Sequence, residues 1–144
     1  MTAQTTARGP IAAMLLTLAA PLLLAASCGD GQESPRQVVQ EFFHAAITAA
    51  PPQSNEVAIE AAFERLTWEN RSLLETSGMP PSAALGLFVG WQNVPESFEV
   101  VDSSEDGATA TTTVLLRYSG GDTVRDVHLA FEDEGWKIES ISPV

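Results

Sequence analysis

The sequence predicts an α+β domain in which helices are followed by a four-stranded antiparallel sheet. Three observations carry this. Apolar residues recur at helical spacing between residues 34 and 66, the apolar period shortens to two from residue 96, and a double glycine, Gly120-Gly121, sits between two alternating runs.

The first helix is expected over 35–49. Ser34-Pro35 places a capping side chain before a proline whose missing N–H costs nothing in the first turn. Val38, Val39, Phe42, Phe43, Ala46 and Ile47 then mark one face, with Gln37, Gln40, Glu41, His44 and Thr48 on the other. Pro51-Pro52 ends it. Asn55 caps a second helix through Val57, Ala61, Phe63 and Leu66, ending near 66, and Thr67-Trp68-Glu69-Asn70 opens a short third helix that stops at Ser77-Gly78-Met79-Pro80-Pro81. Ser82 to Trp91 reads as a fourth, weakened by Gly86 and Gly90.

The strands follow by alternation. Phe98, Val100 and Asp102 share one phase, as do Ala110, Thr112, Val114, Leu116 and Tyr118, then Val127, Leu129 and Phe131. Ser103 to Gly107 reads as the first turn, Gly120-Gly121 as the centre of the second, where both residues need positive φ, and Asp133-Glu134-Gly135 as the third. The step from Ile138 to Ile141 breaks strict alternation and predicts a bulge.

Ahead of this domain, residues 1–9 are polar with one cation, Arg8, and residues 11–26 are apolar except for Thr17. That is the pattern of a secretory signal. A transmembrane anchor fits less well, because a span needs ~20 apolar residues and Pro21 interrupts this shorter run. The sole cysteine, Cys28, follows directly, in Ala25-Ala26-Ser27-Cys28. This resembles the lipobox of bacterial lipoproteins, with Ala25 where Leu is usual and Leu24 one position early. The resemblance implies that Cys28 becomes a lipidated N-terminus, whereas the plain alternative is an ordinary free or buried thiol. Its polar Gly-Asp-Gly surroundings favour lipidation.

The expected organisation is therefore a signal peptide over 1–27, a lipidated tether over 28–33 and one domain over 34–144. Six tether residues at ~3.3–3.6 Å each would hold the domain within ~20 Å of the headgroups. Gly29 after the cysteine, with Asp30 one position too late for a retention signal, leaves either the cell membrane or the outer membrane as its location. In both cases the domain faces the periplasm or the exterior.

Removing Arg8 with the leader leaves 6 of the 7 basic residues against all 19 acidic ones, a net charge of -13. The basic residues are scattered singly, so nucleic acid is excluded as a partner. One cysteine forms no internal disulfide, and no Cys or His cluster has metal-ligand spacing. No phosphate-cradling loop, dinucleotide fingerprint or nucleophile elbow occurs, and no cofactor is expected. Asn70-Arg71-Ser72 matches a glycosylation triplet of the kind that arises by chance.

The opening Ser34-Pro35-x-x-Val38-Val39-x-x-Phe42-Phe43-x-Ala45 and the ending Glu134-Gly135-Trp136-Lys137-Ile138 resemble the nuclear transport factor 2-like (cystatin-like) superfamily, in particular its small lipoprotein members of lumazine-binding type. In this chain the Gly and Trp of the second motif are adjacent. The resemblance spans about residues 34–142. It implies a curved sheet that wraps the helices into a cone, whose open end holds a ligand or a catalytic pair; it implies no particular activity.

Inward-pointing residues are therefore the candidates. Trp91 lies just before the sheet, where the cone mouth is expected. Phe98 and Tyr118 share the inward phase, and these three form the expected ligand-binding set. The bland reading of Trp68, Phe88, Trp91, Phe98, Phe131 and Trp136 is that they fill the core. His44 falls on the polar side of the first helix and His128 out of phase with its neighbours, so neither is placed for catalysis. Asp102 reads as a solvated turn acid. The expected function is a membrane-anchored, non-catalytic module that binds a protein partner or a small apolar ligand. A small isomerase or dehydratase is the alternative, and it needs His128 or Asp102 beside Tyr118. Homodimerisation through an outer sheet face around Leu115 and Val124 is a third possibility.

Overall fold

Four helices precede four strands in a computed structural model that describes residues 32–144. The expected signal peptide and Cys28 lie outside the described residues. The helices are α1 (Pro35–Ala49), α2 (Glu56–Phe63), α3 (Trp68–Glu75) and α4 (Pro81–Val89). The strands β1 (Ser97–Asp106), β2 (Thr109–Tyr118), β3 (Gly121–Glu132) and β4 (Gly135–Pro143) form one curved antiparallel sheet in the order β1-β2-β3-β4. Glu33–Val144 is a compact unit of α+β class.

Ser34 caps α1 as its position demands. Its hydroxyl accepts the Gln37 N–H at 3.2 Å, and the Gln37 side chain accepts the Ser34 N–H at 3.3 Å, which satisfies two otherwise orphaned donors. Val38, Val39, Phe42, Phe43 and Ala46 are buried on one side of the helix. They pack against Val100, Val114, Leu116, Val127, Leu129 and Ile138 on the helix-facing side of the sheet. One apolar stripe has met one alternating face, and the two make a single core.

The second helix ends at Phe63, three residues short of its expected end, because the next residues bond to a strand. Ile138 donates its N–H to the Arg65 carbonyl at 2.7 Å, Thr67 donates to the Ile138 carbonyl at 3.0 Å, and Leu66 forms a parallel bridge with Ile138. This link covers part of the edge of β4, whose backbone groups would otherwise face water. Leu66 and Thr67 are buried in it, and Trp68 then opens α3 on the solvent side with 71% of its surface exposed. Trp68 is thus no core residue, contrary to the bland reading of the aromatics. Phe131 is also 38% exposed, at the end of β3, where it meets Trp136 edge-on at 5.3 Å.

The fourth helix stops at Val89. Gly90 adopts a left-handed φ of 82° and donates to the Gly86 carbonyl at 2.9 Å, a glycine C-cap that frees Trp91 from the helix.

Strand β1 departs from expectation most. It runs through Ser103 and Ser104 to Asp106, and the turn is Gly107-Ala108, where Gly107 has a φ of 65°. A register shift between Val100 and Asp102 leaves Val101 extra, so Asp102 pairs with Thr113 and moves to the outer face. Ser103 takes the helix-facing phase, and its hydroxyl meets that of fully buried Thr112 at 2.9 Å. Asp102 is therefore a strand residue, neither inward nor in a turn. The second hairpin closes on the pair Tyr118 and Gly121, so its two-residue turn is Ser119-Gly120, and positive φ falls on Gly121 alone. Asp133 and Glu134 take left-handed φ values of 47° and 72° in the third. The bulge expected in β4 lies at Glu139, skipped between the pairs His128 with Ser140 and Leu129 with Ile138.

Candidate functional site

The helix-facing side of β2 and β3 is apolar and buried along Val114, Leu116, Val127 and Leu129, but its composition changes at one end. In the same phase stand Tyr118, Thr123 and Arg125, paired in register with Gly121, Leu116 and Val114. All three are half-buried. Over them runs the loop that follows α4, so that Gly90, Trp91, Gln92, Asn93, Tyr118, Thr123 and Arg125 line one open groove of about 350 Å³. That volume suits a small organic molecule.

Trp91 is held from behind. A Cβ on Gly86 would lie 3.2 Å from the Trp91 indole nitrogen, so the absence of a side chain at Gly86 makes room for the ring. On the core side the indole meets the Phe43 ring, centroid to centroid at 6.4 Å. Trp91 and Gln92 also line a second groove, of about 320 Å³, whose other walls come from α4 and the end of α1, including Ala46, Leu85 and Leu87. Trp91 thus borders both recesses.

Phe98 is not in the Trp91 and Tyr118 groove. It meets the Phe43 ring, centroid to centroid at 5.7 Å, and lines two recesses with His44, the larger about 490 Å³ and bounded by α1 and α2. That larger recess is roomier than the Trp91 and Tyr118 groove, yet its one arginine is committed. Arg65 pairs with Glu33 at 2.7 Å and also with Glu41. His44 is exposed there. Of the three expected ligand residues, two share a groove and the third is joined to it only through Phe43.

The electrostatics of the groove are set by Arg125. Its guanidinium donates to the Gly90 carbonyl at a long 3.4 Å. Arg65, Arg71 and Arg117 pair with carboxylates, whereas among the described residues no carboxylate forms a salt bridge with Arg125. Burial holds the Tyr118 phenol above the usual tyrosine value, while the nearby Arg125 charge pulls the other way. Tyr118 is thus a neutral hydroxyl at ordinary pH.

The residues that acid–base chemistry would need lie elsewhere. His128 contacts the Ser142 hydroxyl at 3.2 Å on the outer face, Asp102 shares that face, and Asp126 accepts from Thr113 at 2.8 Å there as well. Leu115 and Val124, named as an outer patch, pair directly with each other, and Val124 is 36% exposed. Among the described residues no three His, Cys, Asp or Glu come together as a metal site, and no helix is long and apolar enough to cross a membrane.

Sequence reasoning missed Arg125 and Gly86. Arg125 had a signal, since it is in phase with Val127 and Leu129 and is a cation on an apolar strand face. Gly86 had none, because only the fold brings Trp91 back over α4.

No protein-family model matches the chain, and no curated protein matches it. Among solved structures the chain is similar to a candidate nuclear transport factor 2-like transpeptidase from Campylobacter jejuni, with 11% sequence identity and a TM-score of 0.46, over 74% of this chain and 98% of that one. A likeness at this level assigns neither a family nor an activity. What the geometry itself establishes is an α+β domain with an open groove, lined by Trp91, Tyr118 and polar residues, at one end of its sheet.

Proposed function

We propose that the chain is a non-catalytic binding domain of nuclear transport factor 2-like kind, tethered to a cell-envelope membrane through lipid on Cys28, which receives a small, largely apolar ligand in the groove of Trp91 and Tyr118. The observation that carries the ligand reading is the placement of these two aromatics on a single recess of about 350 Å³ beside the buried sheet face. Aromatic walls with a few converging polar groups are what small-molecule sites require. The Gly86 contact supports it further, because a ring already held in position loses little freedom when a ligand arrives.

The anchor rests on sequence alone, on the apolar run that stops at Cys28. Acylation of several chains on one residue would bind stably, whereas a single chain binds marginally.

Two measurements test the proposal. A thermal-shift screen with aromatic metabolites should raise the melting temperature of the wild type and not of Trp91→Ala. No shift with any compound would turn the reading towards a protein partner. Membrane fractionation with mass spectrometry should find the mature N-terminus at an acylated Cys28, and a chain whose location is unchanged by Cys28→Ala would remove the anchor.

A further inference from the structure

We propose that Arg125 is the anion anchor of the Trp91 and Tyr118 groove, and that the ligand class is a planar aromatic carboxylate. The inference rests on the groove being the ligand site and adds the charge of what it takes.

Among the described residues Arg36, Arg125 and Lys137 pair with no carboxylate, and of these Arg125 has the weakest bond, since Lys137 donates to the Glu64 carbonyl at 2.8 Å. After the leader the chain carries 19 acidic and 6 basic residues, so a carboxylate partner is the default for any arginine. Arg65, Arg71 and Arg117 follow that default. Arg36 does not, but it is exposed and makes a short 2.9 Å bond to the Val100 carbonyl. Arg125 is half-buried, and among the described residues its one hydrogen bond is the long 3.4 Å contact to the Gly90 carbonyl. Burying part of a guanidinium without a counter-charge costs free energy that an incoming anion recovers.

The nearest acids in sequence are turned away. Asp126 faces outward and is bonded to Thr113, and Asp122 alternates to that same outer face, opposite Arg117 in register. Among the described residues no carboxylate lines the groove, although the domain is acidic overall.

The chemistry of the remaining walls narrows the class. Gln92, Asn93, Thr123 and the neutral Tyr118 hydroxyl can donate to the second lone pairs of a bound carboxylate. One guanidinium matches one singly charged, planar carboxylate through its fork of N–H donors. A phosphate dianion would remain undercompensated here, since Arg125 is the single cation lining the groove. Trp91 and Tyr118 are the aromatic residues of a lining that is otherwise mostly polar, and a ring can pack on them.

The test uses calorimetry on the purified full-length chain with 2-naphthoate and its neutral isostere 2-naphthamide. The wild type should bind the naphthoate about tenfold more tightly, as expected for a hydrogen-bonded charge pair. Arg125→Gln should erase that preference, with naphthoate affinity falling to that of naphthamide in the same variant. Equal affinities in the wild type, or a preference that survives in Arg125→Gln, overturn the role of Arg125 while the aromatic groove stands. If neither compound binds, or binding is untouched by Trp91→Ala, the groove reading fails and the anchor with it. The wild-type pair decides the point even if the variant does not fold.

Discussion

The two ends of the sheet's helix-facing side are built differently. At the end bounded by the turns at Gly107 and Asp133-Glu134, the link over residues 65–67 bonds to Ile138, and Leu66, Trp136 and Ile138 are buried together. At the other end Tyr118, Thr123 and Arg125 stand half-buried beneath a loop. Where backbone pairs with backbone, side chains are excluded from water and contribute stability. Where the loop only leans over the strands, polar and aromatic groups stay reachable. Sealed backbone pairing is thus concentrated at one end and reachable polar and aromatic groups at the other.

The contrast is most directly challenged at Ile138. Truncation to Ala leaves a cavity in the closed end and should cost about 3 kcal/mol of unfolding free energy. Thr123→Ala at the open end should change it by less than about 0.5 kcal/mol. Urea denaturation of both variants checks this, and similar losses would dissolve the distinction.

Gly107→Ala comes next, at about 1 kcal/mol lost, since an L side chain is disfavoured at its φ of 65°. The same denaturation assay reads it.

Gly86→Ala should leave stability within about 1 kcal/mol, because the better helix former offsets the crowding at Trp91. The new Cβ would press on the indole at 3.2 Å. One of the three tryptophan indole N–H resonances should therefore shift in the NMR spectrum, with ligand affinity falling several-fold. An unmoved spectrum would show that Trp91 is not held by this contact.

The smallest effect concerns Tyr118, the only tyrosine in the chain. Burial raises its pKa, so the folded state favours the neutral phenol. Its contribution is fully present below the unfolded value of about 10 and is lost as pH rises through the higher folded value. Phenolate absorbance should titrate above the midpoint seen in urea. Between the two midpoints and beyond, the wild type should lose stability relative to Tyr118→Phe.

Much of the fold was legible because its causes are local. The Ser34 cap, the apolar stripe of α1, the alternation of Val114 with Leu116 and of Val127 with Leu129, and the bulge in β4 are written within a few residues of where they act. The errors came from contacts between distant residues. Helix α2 was read too long because nothing near Leu66 announces a partner 72 positions away at Ile138. Asp102, read as a solvated turn acid in phase with Phe98, is exposed but lies within β1 on the outer face, because one extra residue, Val101, reverses the phase of everything after it. Trp91, Phe98 and Tyr118 were grouped from phase and position; Trp91 and Tyr118 share a recess, whereas Phe98 lines others and meets Phe43, which Trp91 also contacts.

By itself the sequence determined the α+β order, the helix starts, the strand phases, the acidic charge and the expectation of a lipid at Cys28, since each depends on neighbouring residues or on composition. Only the tertiary structure decided which end of the sheet is sealed, which tryptophan is exposed and that Arg125 shares a recess with Trp91 and Tyr118. Those outcomes depend on how the link at 65–67 and the loop at 90–93 return to the sheet. Long-range backbone pairing and packing set that return, and no local periodicity encodes it.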